Sequence, residues 1–357
     1  MKKHYLILLM ICGVLLTAGP VAAQDAVELK LAHFIPSTHI QHQKTFLPFA
    51  QNVEKLSGGK VKIKIYPAGT LGGAVQLPDA VKTGIADIAL IFPSMTSGRF
   101  PRFSAYDLPF LFDNPQQAIQ VAYDLYERWF AEDFKDYKLL WIYCTDMGQL
   151  YSVDKPILTM EDFKGMKLRS PSASMSDALK RLGANPVGMP ITEMHMALAK
   201  HVIDGALTPN TVVADFKLYD QIKHITQTDF YISIMAVVMN KKKYEALSPA
   251  AKQAIDNAAG KSWGLHATGV YDDYSRETVN QLRTSGNVKI HDMAPDERKK
   301  IRNQLAGMES DWIRQNSEKG IPAREMMDAI HMALIHISEP TRLLSTSYAV
   351  FCLKKNI

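Results

Sequence analysis

Arg169 closes the segment Met166-Lys167-Leu168-Arg169, which runs directly into Ser170-Pro171. The pattern predicts a short strand followed by a turn and sets the guanidinium at a carboxyl strand edge, where open α/β sheets bind ligands. A guanidinium offers a planar fork of donors that meets a carboxylate in two parallel hydrogen bonds, and a lysine does not reproduce that geometry. Capture of a carboxylate is the chemistry open to this residue, with an ordinary salt bridge as the plainer alternative. Thr208 and Asn210, on either side of Pro209, form the ordinary turn sequence Thr-Pro-Asn. Expected strand ends and loops add His33, Phe34, Phe92, Pro93, Met95, Met147, Gln149, Met189 and Ile191, a mostly apolar set. An apolar wall around one arginine favours a monocarboxylate with a hydrophobic or aromatic body, since a second buried carboxylate would lack a partner.

Catalytic machinery is not legible. The one Gly-x-Ser-x-Gly match, Gly260-Lys261-Ser262-Trp263-Gly264, falls inside the expected helix over 248–282 rather than on a strand-to-helix turn, no phosphate-cradling Gly-rich loop is present, and Cys144 falls in a segment that reads as a buried strand. Asp87 and Asp204 belong to turns rather than to a paired acid and base. Among the eleven histidines, His39-Ile40-Gln41-His42 is only an i, i+3 pair, so neither a metal nor any other cofactor is expected.

The elements that must position these residues alternate. Val27–Ala32 reads as a strand, followed by a loop to His39 and a helix with Phe46, Phe49, Ala50, Val53 and Leu56 on one face. In Val61–Tyr66, Val61, Ile63 and Ile65 alternate with lysines, the pattern of a half-buried strand; a helix over 76–83 and a buried strand over 88–92 follow. This βαβαβ order is that of an α/β lobe. Strands are further expected over 139–144, 166–168, 231–239 and 288–290, and helices over 174–182, 191–200, 248–282 and 294–315. The segment from Phe216 to His224 reads as packing between lobes.

At the N-terminus, Lys2 and Lys3 precede an apolar run from Tyr5 to Ala18 and the small-residue pattern Val21-Ala22-Ala23, which reads as a signal peptide over 1–23. That run is shorter than the roughly 20 residues a membrane span needs, so the mature chain is not expected to be membrane-spanning. The formal charge of +5 falls to +3 without Lys2 and Lys3, and to +1 without 338–357, which gives no support to nucleic-acid binding. Residues 336–357 end in a β-prone apolar stretch with nothing after it to bury it, and read as a non-native tail, against a native C-terminal strand.

Four motifs, taken in order and spacing, carry a resemblance: Val81-Lys82-Thr83-Gly84-Ile85-Ala86-Asp87-Ile88, Asp162-Phe163-Lys164-Gly165-Met166-Lys167-Leu168-Arg169-Ser170-Pro171, Val202-Ile203-Asp204-Gly205 and Lys217-Leu218-Tyr219-Asp220. Over about Val27 to Met332 the chain resembles the DctP-like solute-binding proteins of tripartite ATP-independent periplasmic (TRAP) transporters. The resemblance implies a two-lobed α/β periplasmic binding protein, type II-like, each lobe a mainly parallel sheet flanked by helices with the ligand cleft between them. The lobes would comprise 24–145 plus about 231–285, and 146–230 plus about 286–335. It also implies a periplasmic location, a small organic acid as ligand, hinge closure, and a permease of small and large membrane subunits as partner. The family's carboxylate-clamping arginine matches Arg169, and the asparagine of sialic-acid-binding relatives falls at Thr208, so the resemblance implies a polar contact to the cleft from Thr208 or Asn210. A second arginine of some relatives is replaced here by Met147-Gly148-Gln149-Leu150, which argues against sugar acids. A sensor protein docking on a receptor kinase stays open as an alternative, with a periplasmic hydrolase behind it.

Overall fold

The computed structural model describes residues 26–96 and 98–337; the expected signal peptide and the tail from 338 onward lie outside the described residues. The first half runs β1 (Val27–Ala32), α1 (Leu47–Leu56), β2 (Val61–Tyr66), α2 (Leu77–Thr83), β3 (Ile88–Ile91), α3 (Pro115–Leu125) and β4 (Tyr137–Cys144). Next come β5 (Gly148–Ser152), β6 (Lys167–Ser170), α4 (Ala173–Arg181), β7 (Asn185–Gly188), α5 (Met194–Ala199), β8 (Gly205–Pro209), α6 (Thr211–Asp215) and β9 (His224–Gln227). The chain continues through β10 (Ile234–Asn240), α7 (Lys241–Glu245), α8 (Pro249–Ala258), α9 (Gly260–Ser285), β11 (Lys289–Asp292), α10 (Pro295–Leu305) and α11 (Gly307–Ser317), and then a helical segment over 323–337.

These strands form two sheets, in the orders β2-β1-β3-β10-β4 and β11-β9-β5-β8-β6-β7. Each sheet is mainly parallel with one reversed strand: β10 is antiparallel to β3 and β4, and β5 is antiparallel to β8 and β9. The chain passes between the sheets three times, and the reversed strands are those it enters at the two short crossings, from Cys144 to Gly148 and from Gln227 to Ile234; the third passage, from β10 to β11, runs through α9. The two crossings are bonded to each other: Thr145 N–H donates to Ser233 O at 2.9 Å, Gly148 N–H to Tyr231 O at 2.8 Å and Phe230 N–H to Gly148 O at 2.8 Å.

The alternating strand β2 and the apolar β3 form where expected, because side-chain period and burial agree there. The helical pattern over 248–282 is broken at Ala259, whose extended backbone (φ −104°, ψ −158°) precedes Gly260 at φ +84°, so it forms α8 and α9. The region 294–315 likewise divides into α10 and α11. Gly205–Pro209, whose Thr-Pro-Asn end suggested a turn, is instead the buried strand β8. In the second sheet alternate residues enter different cores. Leu150 and Leu207 join the large cluster around the first sheet, while Tyr151 and Ala206 join a smaller one with Ile203, Leu218, Ile225 and Leu282.

Helix α9 ties the two halves together. Its first turns lie on β4, where the Thr268 hydroxyl accepts from Cys144 N–H at 3.1 Å. Further along, Ser275 accepts from the Asn210 amide at 3.3 Å and Leu282 enters the smaller core. The close approach depends on Gly264: a Cβ there would stand 2.1 Å from Tyr123 Oη and 2.2 Å from Ile142 O. Gly264→Ala is therefore expected to push α9 off β4 at a cost of about 1–3 kcal/mol. A calorimetric Tm several degrees below wild type checks this, and an unchanged Tm would show that the helix can shift freely.

Candidate functional site

Between the sheets lies a cavity of about 390 Å³, within the range of about 300–1,000 Å³ of small-molecule sites. It opens at carboxyl strand ends. Phe34 and Ile35 follow β1, Ala68 to Gln76 follow β2, Phe92 and Met95 follow β3, Arg169 and Pro171 come from the end of β6, Pro190 to Glu193 follow β7, and Thr208 ends β8. Thr145, Tyr231 and Ser233 of the crossings, Phe216 after α6, Tyr271 of α9 and His39 are also in the wall.

Arg169 is 2% exposed. Its Nε donates to Met189 O at 3.1 Å and its Nη1 to Leu207 O at 3.2 Å, so the neighbouring strands β7 and β8 fix the plane of the guanidinium. Among the described residues Arg169 forms no ion pair with a carboxylate side chain. Desolvation accordingly pulls its pKa down from the ordinary arginine value, opposed by the neighbouring Tyr231. Two further buried groups at the cavity, Thr208 Oγ1 and Tyr231 Oη, have no hydrogen-bond partner. Burial pushes the Tyr231 hydroxyl well above its usual pKa, against the pull of the Arg169 charge, so it stays protonated and available to donate. One cation and two hydroxyls thus face the same apolar cavity with donor capacity to spare, an arrangement suited to an anionic oxygen pair.

Of the residues expected at the cleft, Arg169, Thr208, Phe34, Phe92, Met95 and Ile191 line this cavity. His33, Met147, Gln149 and Asn210 do not. Neighbours on an extended chain point to opposite sides. His33 therefore turns away from Phe34 into the core, bonded to His42 at 2.8 Å and stacked on Phe46. Gln149 Oε1 accepts from Thr228 N–H at 2.6 Å and Asp229 N–H at 2.9 Å, bracing the second crossing. Asn210 accepts from the Tyr151 hydroxyl at 2.7 Å on the far side of β8, where Met147 also lies. Met189 contributes its carbonyl, and Pro93 lines a separate groove beside Asp107. Phe216, read as scaffold, is part of the wall. Tyr231 and Tyr271 were missed, because nothing in the linear pattern shows that a crossing or a long helix passes the cavity.

One polar contact joins the halves beside this site. His39 Nε2 stands 3.2 Å from Asp215 Oδ2, and Ile40 N–H donates to Asp215 Oδ1 at 3.3 Å. Gln41 N–H donates to His39 Nδ1 at 3.1 Å, which requires that nitrogen to be unprotonated and makes the ring a neutral Nε2–H donor. Burial, with His33 and His42 nearby, lowers the His39 pKa to about 3, and burial, with Asp146 nearby, raises that of Asp215 to about 7.

Residues 31–315 match the family model "Bacterial extracellular solute-binding protein, family 7" (DctP). A solved TRAP solute-binding protein from a marine metagenome, specific for aromatic acid ligands and holding 3-hydroxybenzoate, is 32% identical. The match covers 87% of this chain and 99% of that one at a TM-score of 0.83. Another, from Rhodoferax ferrireducens with copurified benzoate, is 28% identical over 88% of this chain and all of that one, at a TM-score of 0.84. The 2,3-diketo-L-gulonate-binding periplasmic protein YiaO of Escherichia coli is 27% identical over 88% of this chain and 95% of its own.

The His39–Asp215 contact yields a pH signature. An Asp215 carboxyl with a folded pKa of about 7 against an ordinary 3.8 contributes stability that is present below pH 4 and lost as pH rises through 7. His39, with its pKa lowered, acts oppositely as pH falls below 6.5. Replacing Asp215 by Asn removes only the first term, so the Tm of Asp215→Asn relative to wild type is expected to climb between pH 5 and pH 8. Calorimetry at the two pH values checks it; a flat or falling difference would mean that the carboxyl ionises without penalty.

Proposed function

The chain belongs to family 7 of the bacterial extracellular solute-binding proteins, its residues 31–315 matching that family's model, and on that premise we propose that it binds a small monocarboxylic acid with an aromatic or apolar body. The observation that carries this reading is Arg169, a buried cation with no acidic partner among the described residues. A charge in that position costs several kcal/mol unless something neutralises it, and a carboxylate entering the cavity does so in a two-bond geometry. Phe34, Phe92, Met95 and Phe216 offer an apolar wall for the body of the acid, but no second cation for another carboxylate. The aromatic acids held by the relatives at 32% and 28% identity support the same class over the keto-sugar acid named for the Escherichia coli relative.

In this reading the protein works in the periplasm as a receptor, not an enzyme. The thiol of Cys144, the one candidate nucleophile singled out, lies buried in β4 with its pKa pushed up by desolvation. The acid enters the open cleft, pairs with Arg169 of the second half, and meets Phe34 and Phe92 of the first. Contacts to both halves favour the closed form, which is the form handed to a TRAP permease of small and large membrane subunits.

The test is a thermal-shift panel of aromatic monocarboxylates, dicarboxylates and sugar acids on wild type and Arg169→Met. An aromatic acid at 100 times its Kd is expected to add about 2.7 kcal/mol to wild type. Arg169→Met should lose that shift while its own unliganded Tm stays level or rises, because an unpaired buried charge has gone. A mutant that still responds, or a wild type stabilised only by dicarboxylates or sugar acids, would overturn the assignment.

A further inference from the structure

We infer that Tyr231 joins the anion site to the hinge, its hydroxyl taking one oxygen of the bound carboxylate while its ring, seated on Gly148, sets the spacing of the two crossings. This rests on the carboxylate reading above and extends it to a residue that neither the sequence pattern nor the family motif singles out.

Three observations meet at this residue. The residue lines the cavity and is 2% exposed, and its hydroxyl makes no well-formed hydrogen bond, with Arg169 and Ser233 as its polar neighbours. A buried hydroxyl without a well-formed bond is costly, and this one stands beside the guanidinium on a residue that lines the cavity. The ring lies flat on the other crossing: a Cβ on Gly148 would fall 1.9 Å from Tyr231 Cε1 and 2.2 Å from Cδ1, so only glycine lets the aromatic approach. The backbone closes the arrangement, with Gly148 N–H donating to Tyr231 O at 2.8 Å and Phe230 N–H to Gly148 O at 2.8 Å. Tyr231 thereby links the two short crossings between the sheets, where a rotation of the halves bends the chain. A ligand oxygen bound to that hydroxyl pulls on the segment that has to move.

The experiment is a calorimetric titration of benzoate into wild type, Tyr231→Phe, Arg169→Met and Gly148→Ala, with small-angle scattering of each protein without and with benzoate. Tyr231→Phe keeps the ring and removes only an unpartnered hydroxyl, so its unliganded Tm is expected to hold or rise while benzoate binds about tenfold or more weakly. Gly148→Ala displaces the ring and is expected to shrink the compaction that benzoate produces in wild type. Wild-type affinity in Tyr231→Phe, with Arg169→Met inactive, would sink the tyrosine contact and leave the carboxylate reading standing. Full compaction in Gly148→Ala would remove the hinge role. A wild type that does not bind benzoate overturns both this inference and the aromatic-acid reading beneath it.

Discussion

A guanidinium withdrawn from water and left without an acidic neighbour constrains everything around it. Arg169 is tolerable in the interior because two main-chain carbonyls, Met189 O and Leu207 O, accept from it on either side. Those carbonyls are available because β6 lies between β7 and β8, so both flanking strands end beside the arginine. The strand order of the second sheet is thus the arginine's support, and each carbonyl takes up a donor without taking up the charge. The charge is left to whatever enters the cavity.

The same logic sorts the polar residues nearby. Gln149, Asn210 and Asp146 all have their capacity met by main-chain and hydroxyl partners behind β8 and are structural braces. Thr208 and Tyr231, equally buried, do not, and they lie on the cavity side. Unsatisfied groups also occur deep in the core, at Trp141 and Tyr143 for example, so what sets Thr208 and Tyr231 apart is that they line the cavity beside Arg169.

What could be read from the chain followed local periodicity. β2 with its lysine alternation, β3 with its unbroken apolar run and Arg169 before Ser-Pro were legible because burial there is a property of one segment. β5, β8 and β9 were not, since each is short, and the first two are buried along their whole length, so neither alternation nor length separates them from loop. At the site, the phenylalanines following β1 and β3 were found, whereas His33 was misplaced because its ring is drawn into the core by His42 and Phe46, partners that the local sequence does not show. Tyr231 and Tyr271 lay beyond reach because their position depends on how the chain recrosses and on where α9 lies, both of which are non-local.

The position of β10 between β3 and β4 has a consequence for the order in which the molecule forms. A chain emerging N-terminus first carries β1 to β4 within its first 144 residues, yet among the described residues β4 pairs with no strand but β10, which arrives only at residue 234. Its apolar strand, Leu139 to Cys144, must wait until the whole second-sheet segment has been made. Closing so long a loop is slow on the scale of local helix and hairpin formation. The nascent chain is held back from completing its first sheet by its own topology, and it reaches its native state only after most of its length is available.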